Sequence, residues 1–247
     1  TLGRCINGMA EHLGRLVQLK SAEVSRSHLL REISLKIAGA VDRKSISTLA
    51  VDEIRKALAA DRVLICSLNV DRTATIAAES LTGPWPQNLG TLLSGFHAIY
   101  SSQCKRGQVQ IIHNLSTAVL PQDALQQWET LSVKAALIAP IIVNNKLFGA
   151  LMVHQCSGPR TWKQSEIDFL AQLITQVELA IDLAYLLEQQ QKSREQLQKR
   201  AMELLMEVDP ISKGDLTIRA KVTEDEIGTI ADSYNSTVES LQRLVIQ

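Results

Sequence analysis

The chain predicts an α+β fold: an antiparallel sheet with flanking helices, continued by long helices of coiled-coil type. Three observations predict it. Short runs with period-two alternation fill the middle of the chain, and stretches on either side repeat apolar residues at spacings of three and four. Two apolar runs are separated by Asn144-Asn145, a pair suited to two residues at positive φ in a hairpin turn.

Composition bounds the class. Of 247 residues 45% are apolar and only 4% aromatic, so the core must be mostly aliphatic. Lys plus Arg and Asp plus Glu number 26 each, which leaves no basic excess for nucleic acid. Cys5, Cys66, Cys104 and Cys156 are widely spaced, with no C-x-x-C and no His at ligand spacing. A zinc site or disulfide framework is not expected, and reduced thiols are. The longest apolar run, Ala135–Val143, is too short to span a bilayer and carries Pro140. No signal peptide is expected in this stretch. Both ends fall inside helical patterns, so the chain reads as a piece of a longer protein.

In order, residues 21–41 read as a helix with Leu29, Leu30, Ile33, Ile37 and Val41 on one face. Residues 47–59 read as a second, with Val51, Ile54 and Leu58 inward. Residues 62–69 and 73–79 are strands around a polar turn, and Gly83-Pro84-Trp85-Pro86 is a loop. Residues 109–112 form a short strand and 121–131 a short helix; 135–143 and 146–154 form the hairpin. A long helix starts at Thr161, whose spacing to Gln164 suits a capping box. Leu170, Ile174, Val177, Ile181 and Ala184 make a coiled-coil seam that fails over residues 188–196 and resumes at Leu197, Ala201, Leu204 and Val208. Ala184 to Leu197 is thirteen residues, one short of two heptads, so the stripe changes phase. Such a break is either inconsequential in a solvated helix or a weak point between two packings.

Near the C-terminus, Pro210 predicts a kink or a loosened last turn, and Gly214 ends the helix. Leu216, Ile218 and Val222 anchor an extended connector. Asp225-Glu226-Ile227-Gly228 then opens a helix with the seam Ile227, Ile230, Tyr234, Val238, Leu241 and Val245. The first twenty residues match the last twenty at an offset of 228: Asn7 with Asn235, Leu13 with Leu241, Arg15-Leu16-Val17 with Arg243-Leu244-Val245. The match reads as a repeat.

The stretch Gly214–Tyr234 resembles the middle of a HAMP domain, the parallel two-helix relay module of bacterial receptors. Its Pro210 departs from the family, where a proline more often sits near the start of the first helix. The motifs Asp61–Ile65, Gly83–Pro86, Val133–Ile141 and His154–Trp162 resemble the bilin-binding GAF domains of cyanobacteriochromes. The resemblance implies a GAF domain at residues 43–185, after the end of a HAMP-like helix at 1–19 and a linker helix at 20–42. A coiled-coil linker at 186–200 and a HAMP domain at 201–247 follow. In that family a Cys-His pair and, in some members, a second cysteine hold the bilin. Those thiol positions fall here on Asp123, followed by Ala124, and on Gly95, so no covalent bilin is expected. Trp85, Phe96, Tyr100 and His154 are the candidates to line a pocket for a non-covalent bilin or other ligand. The simpler expectation packs Trp85 and Tyr100 and makes His154 a hydrogen-bonded strand end. Cys66 is expected in the core.

No Walker, Rossmann, zincin or nucleophile-elbow motif is present, so no enzyme and no metal site are expected. The whole resembles cyanobacterial chemotaxis and phototaxis transducers of the PixJ and PilJ kind. That likeness implies the cytoplasmic portion of an inner-membrane receptor. It also implies a parallel homodimer, seamed through positions such as Leu170, Ile181 and Val238. A methyl-accepting region downstream would address CheA/CheW-type proteins. The alternatives are a GAF sensor for a bilin, cyclic nucleotide or other small ligand, and a regulatory segment of a histidine kinase or cyclase.

Overall fold

A computed structural model describes residues 20, 23–71, 73–93 and 107–245, the side chains of Asp123 and Ser212 excepted. The N-terminal repeat copy, Cys5, Cys104, Gly95, Phe96 and Tyr100 lie outside the described residues. The chain divides into two compact units at residues 184 and 185.

The first unit is built on a six-stranded antiparallel sheet. Its strands are β1 (Arg62–Leu68), β2 (Ala74–Leu81), β3 (Leu92–Leu93), β4 (Gln110–Ile112), β5 (Ala135–Val143) and β6 (Lys146–Gln155), ordered β3-β2-β1-β6-β5-β4. Helix α1 covers residues 23–38, α2 Arg43–Leu58, α3 Gln122–Thr130 and α4 Gln164–Ser212. Helix α2 starts before the predicted residue 47 because Asp42 caps it, accepting from Ser45 N at 2.9 Å and Ser45 Oγ at 2.7 Å. Asn144 and Asn145 adopt φ of 52° and 58°, as the β5–β6 turn requires.

Alternate side chains of the sheet enter two cores. Val63, Ile65, Leu137, Leu151 and Val153 face one core with Ile33 and Ile37 of α1, Val51 and Ile54 of α2, and Leu170, Ile174, Val177, Ile181 and Ala184 of α4. Leu64, Cys66, Ile138 and Met152 face the other, closed by Ala124 and Trp128 of α3. Coverage of both faces explains why β1 and β5 read as nearly unbroken apolar runs.

Three expectations change here. The stripe Leu170–Ala184 is part of this unit's own core and not a seam for a partner, because the sheet needs a helix to cover its apolar face. Leu170 and Ile181 are therefore unsuited to report contact between copies, and Val238 is likewise buried within the chain. Val41 lies past the end of α1 and is 82% exposed. The start of α4 is fixed by Glu166, which accepts from Lys163 N at 2.8 Å, rather than by Thr161 with Gln164.

The second unit holds the rest of α4, a connector and α5 (Glu226–Val245). Helix α4 runs through Pro210 and ends two residues later. The Pro210 carbonyl then accepts from Lys213 N at 3.1 Å and Asp215 N at 3.3 Å. Gly214, at φ 94°, supplies the left-handed residue that turns the chain away.

Candidate functional site

The sheet face under α3 is where polar chemistry is buried. Arg62 opens β1 and is fully buried. Its Nε lies 3.0 Å from Glu79 Oε1, Nη2 donates to Pro86 O at 2.8 Å, and Nη1 donates to Leu131 O. One guanidinium thus ties β2, the Trp85 loop and the end of α3. Sequence reading treated Arg62 only as part of a strand-opening motif. The missed signal is Glu79, whose charge sits on a strand otherwise rich in apolar residues.

His154 lies opposite Arg62 in the β1–β6 ladder and opposite Ala136 in the β5–β6 ladder. It is fully buried, with its ring centroid 5.8 Å from that of Trp128 at a tilt of 45°. Among the described residues neither ring nitrogen has a hydrogen-bond partner. Burial, reinforced by the Arg62 charge, pushes its pKa down to about 3, so the imidazole is neutral at neutral pH. It is not the hydrogen-bonded strand end that was expected. That work falls to Asp61, whose Oδ2 accepts from Gln155 Nε2 at 2.7 Å and from Cys156 N and Ser157 N at 2.8 Å. Burial alone would raise the Asp61 pKa; bonds from Ser157 and Cys156 with the Arg160 charge outweigh it and hold it low.

Trp85 is half-buried in the loop tied down through Pro86. Asp123 sits in the first turn of α3, and its neighbour Ala124 is fully buried beside Trp128 in the core. Cys66 is buried, and burial pushes its thiol far up; burial also raises Cys156, against the lowering influence of Arg62. Both described thiols are thus protonated at neutral pH and poor nucleophiles. Among the described residues no cluster of His, Cys, Asp and Glu could hold a metal ion.

The segment His154–Trp162 acts as a joint. Arg160 donates to Leu58 O at 2.7 Å, to Gln155 Oε1 at 2.9 Å and to Glu166 Oε1 at 2.6 Å, with its guanidinium 4.2 Å from the Trp162 ring centroid. It caps α2 and the first turn of α4 together. Further along α4, Glu178 accepts from Ile142 N at 2.6 Å, where the β5–β6 register shifts, and Asp182 accepts from Asn144 Nδ2 at 2.8 Å.

In the second unit the connector is clamped by Asn235, which accepts from Ala220 N and donates to Ala220 O, each at 2.8 Å. Buried Ala220 is thus the connector's anchor, whereas Val222 is 52% exposed. Asp225 caps α5 through Gly228 N at 2.7 Å. A Cβ on Gly228 would lie 1.8 Å from Thr223 O, so only glycine lets the connector pass. Arg200 of α4 reaches Glu203 at 2.6 Å and Thr223 Oγ1 at 3.0 Å, beside a polar cleft that includes Ser193, Leu197 and Glu226.

A GAF domain profile matches residues 42–181, more than half of the chain. The chain belongs to the GAF domain family. It is 44% identical over 241 residues to a Synechocystis protein described as a candidate methyl-accepting chemotaxis protein. That match covers 94% of this chain and 24% of the relative, so the chain spans about a quarter of that protein's length. The crystal structure of the blue-light absorbing PixJ GAF domain of Thermosynechococcus elongatus is 31% identical. It matches with a TM-score of 0.57 over 61% of this chain and 91% of that one. A phycocyanobilin-bound GAF domain from a cyanobacterial phytochrome shares the fold at 22% identity and a TM-score of 0.58, over 65% of this chain and 96% of its own. The buried Arg62–His154 face therefore belongs to a GAF domain that shares its fold with a bilin-bound one.

Proposed function

We propose that this chain is a non-enzymatic relay segment of a chemotaxis or phototaxis transducer. The GAF domain passes its state through α4 to a HAMP-like unit at residues 201–247. The observation that carries this reading is α4 itself. One face of it completes the GAF core through Leu170–Ala184, and the same unbroken helix reaches the Asn235-clamped connector. The likeness to the Synechocystis protein supports the chemotaxis role; a parallel homodimer on the cytoplasmic side of a membrane that addresses a chemotaxis kinase is part of the same proposal. Asp123 and Gly95 at the expected thiol positions, with Cys66 and Cys156 buried, support a domain without a covalent bilin.

A second reading, a pocket for a non-covalent bilin or other ligand, is favoured by the unpartnered nitrogens of His154 and by the bilin-bound relative in fold. Co-expression with phycocyanobilin-making enzymes separates the two. The relay reading expects a colourless purified protein. A zinc-fluorescent band after denaturing electrophoresis overturns the absence of a covalent adduct. Colour lost on denaturation establishes the second reading.

A further inference from the structure

We propose that Gln155 is the positioning residue through which the end of α3 governs the first turn of α4. This rests on the relay reading above. The C-cap residue of α3, Leu131, gives its carbonyl to Arg62 at the start of β1. Asp61 precedes Arg62, and the register that sets Arg62 opposite His154 brings Asp61 to Gln155, the last residue of β6. Gln155 Nε2 donates to Asp61 Oδ2 and to Ser157 Oγ, each at 2.7 Å. Its Oε1 accepts from Arg160 Nη1 at 2.9 Å. Arg160 Nη2 then reaches Glu166 Oε1 at 2.6 Å, and the other oxygen of that carboxylate caps α4 through Lys163 N. Every residue of this chain of bonds lies in the first unit.

The chemistry of the amide gives the link a direction. One end of it only donates and the other only accepts. Turned over, the Gln155 amide would set its NH2 against the Arg160 guanidinium and its oxygen against the Asp61 carboxylate. Two repulsions would replace two charge-assisted bonds, so the amide has a single docked setting. That setting needs both charges in place. The other hydrogen-bond partners of the Arg160 side chain, Leu58 O, Ala59 O and Glu166, belong to the end of α2 and to α4. Gln155 is its bond to the sheet. Asp61 and Arg62 are consecutive in the backbone, so a shift at Leu131 that moves Arg62 also moves the partner that docks the amide. Docked and released amide are two arrangements that both ends of the chain of bonds can bias.

Three tryptophans serve as reporters already in place. Trp85 lies in the loop that Arg62 holds through Pro86, Trp128 in α3, and Trp162 against the Arg160 guanidinium. The test labels the full chain with 5-fluorotryptophan and follows the three resonances by fluorine NMR. Glu79→Gln perturbs the Arg62 end, where Glu79 Oε1 lies 3.0 Å from Arg62 Nε. We expect E79Q to shift the Trp128 and Trp162 resonances in the wild-type background, and Trp128 alone in a Gln155→Glu background. Q155E still offers Arg160 an acceptor but cannot donate to Asp61, so a side chain that only braced Arg160 would let Trp162 follow E79Q as before. Should Q155E fail to fold, Q155L removes both bonds without opposing Asp61 and carries the same expectation. Equal Trp162 shifts in both backgrounds, or none in either, overturn the proposal. Hydrogen exchange at the Ala220 amide separates it from the relay reading. Trp162 following E79Q only through Gln155, with Ala220 exchange unchanged, supports the role of Gln155 and overturns the relay. Ala220 responding while Trp162 stays still overturns the role of Gln155 and leaves the relay standing.

Discussion

Arg62 and Glu79 are each almost wholly buried, and their attraction offsets a desolvation cost that neither meets alone. Glu79→Ala leaves the guanidinium with two carbonyls and no counter-charge. We expect a loss of about 3 kcal/mol in urea unfolding of the GAF domain, with the conservative Glu79→Gln losing less. His154 gives a pH signature. Its folded pKa of about 3 lies below the ordinary 6.5, so the unfolded chain binds the proton first. Its contribution is whole above about pH 6.5 and falls as pH drops toward 3. His154→Gln should flatten the acid limb of the stability profile relative to wild type; parallel limbs would show that the imidazole is not the group titrating. Neither role was legible in the sequence. Glu79, Pro86 and Leu131 lie far along the chain from Arg62, and one-dimensional pattern carries no trace of which polar side chains converge.

At the scale of elements much more was legible. The Asn144-Asn145 turn, the strand runs and the helix at 122–130 follow from local propensity, and local propensity is written in adjacent residues. What misled was α4. A stripe at threes and fours reports that a helix face is buried and says nothing of what buries it. The same spacing therefore stood for a partner helix when the occupant is the domain's own sheet. The Asn235 clamp shows the converse. The asparagine stood out as shared with Asn7, but its bond partner, the backbone of Ala220, has no side-chain signature. Asn235→Ala removes both connector bonds while leaving Val238 and Ala231 packed. We expect the Ala220 amide to exchange with solvent about tenfold faster, with amides of the GAF sheet unchanged, in hydrogen-exchange mass spectrometry.

For the whole molecule, α4 serves two masters along one length. Up to Ala184 its inward face is committed to the sheet, and Glu178 and Asp182 fasten it to the β5–β6 hairpin. Its rotational setting where it leaves the domain is thereby specified by the fold. Residues 189–199 are exposed and are held by bonds within the helix, such as Gln191 with Glu195 and Lys192 with Glu188. That combination makes α4 a bar clamped at one end. A turn of α4 about its own axis would first have to unfasten Glu178 and Asp182 from the β5–β6 hairpin, so any twist belongs to the stretch past Ala184, as in a torsion bar held in a vice.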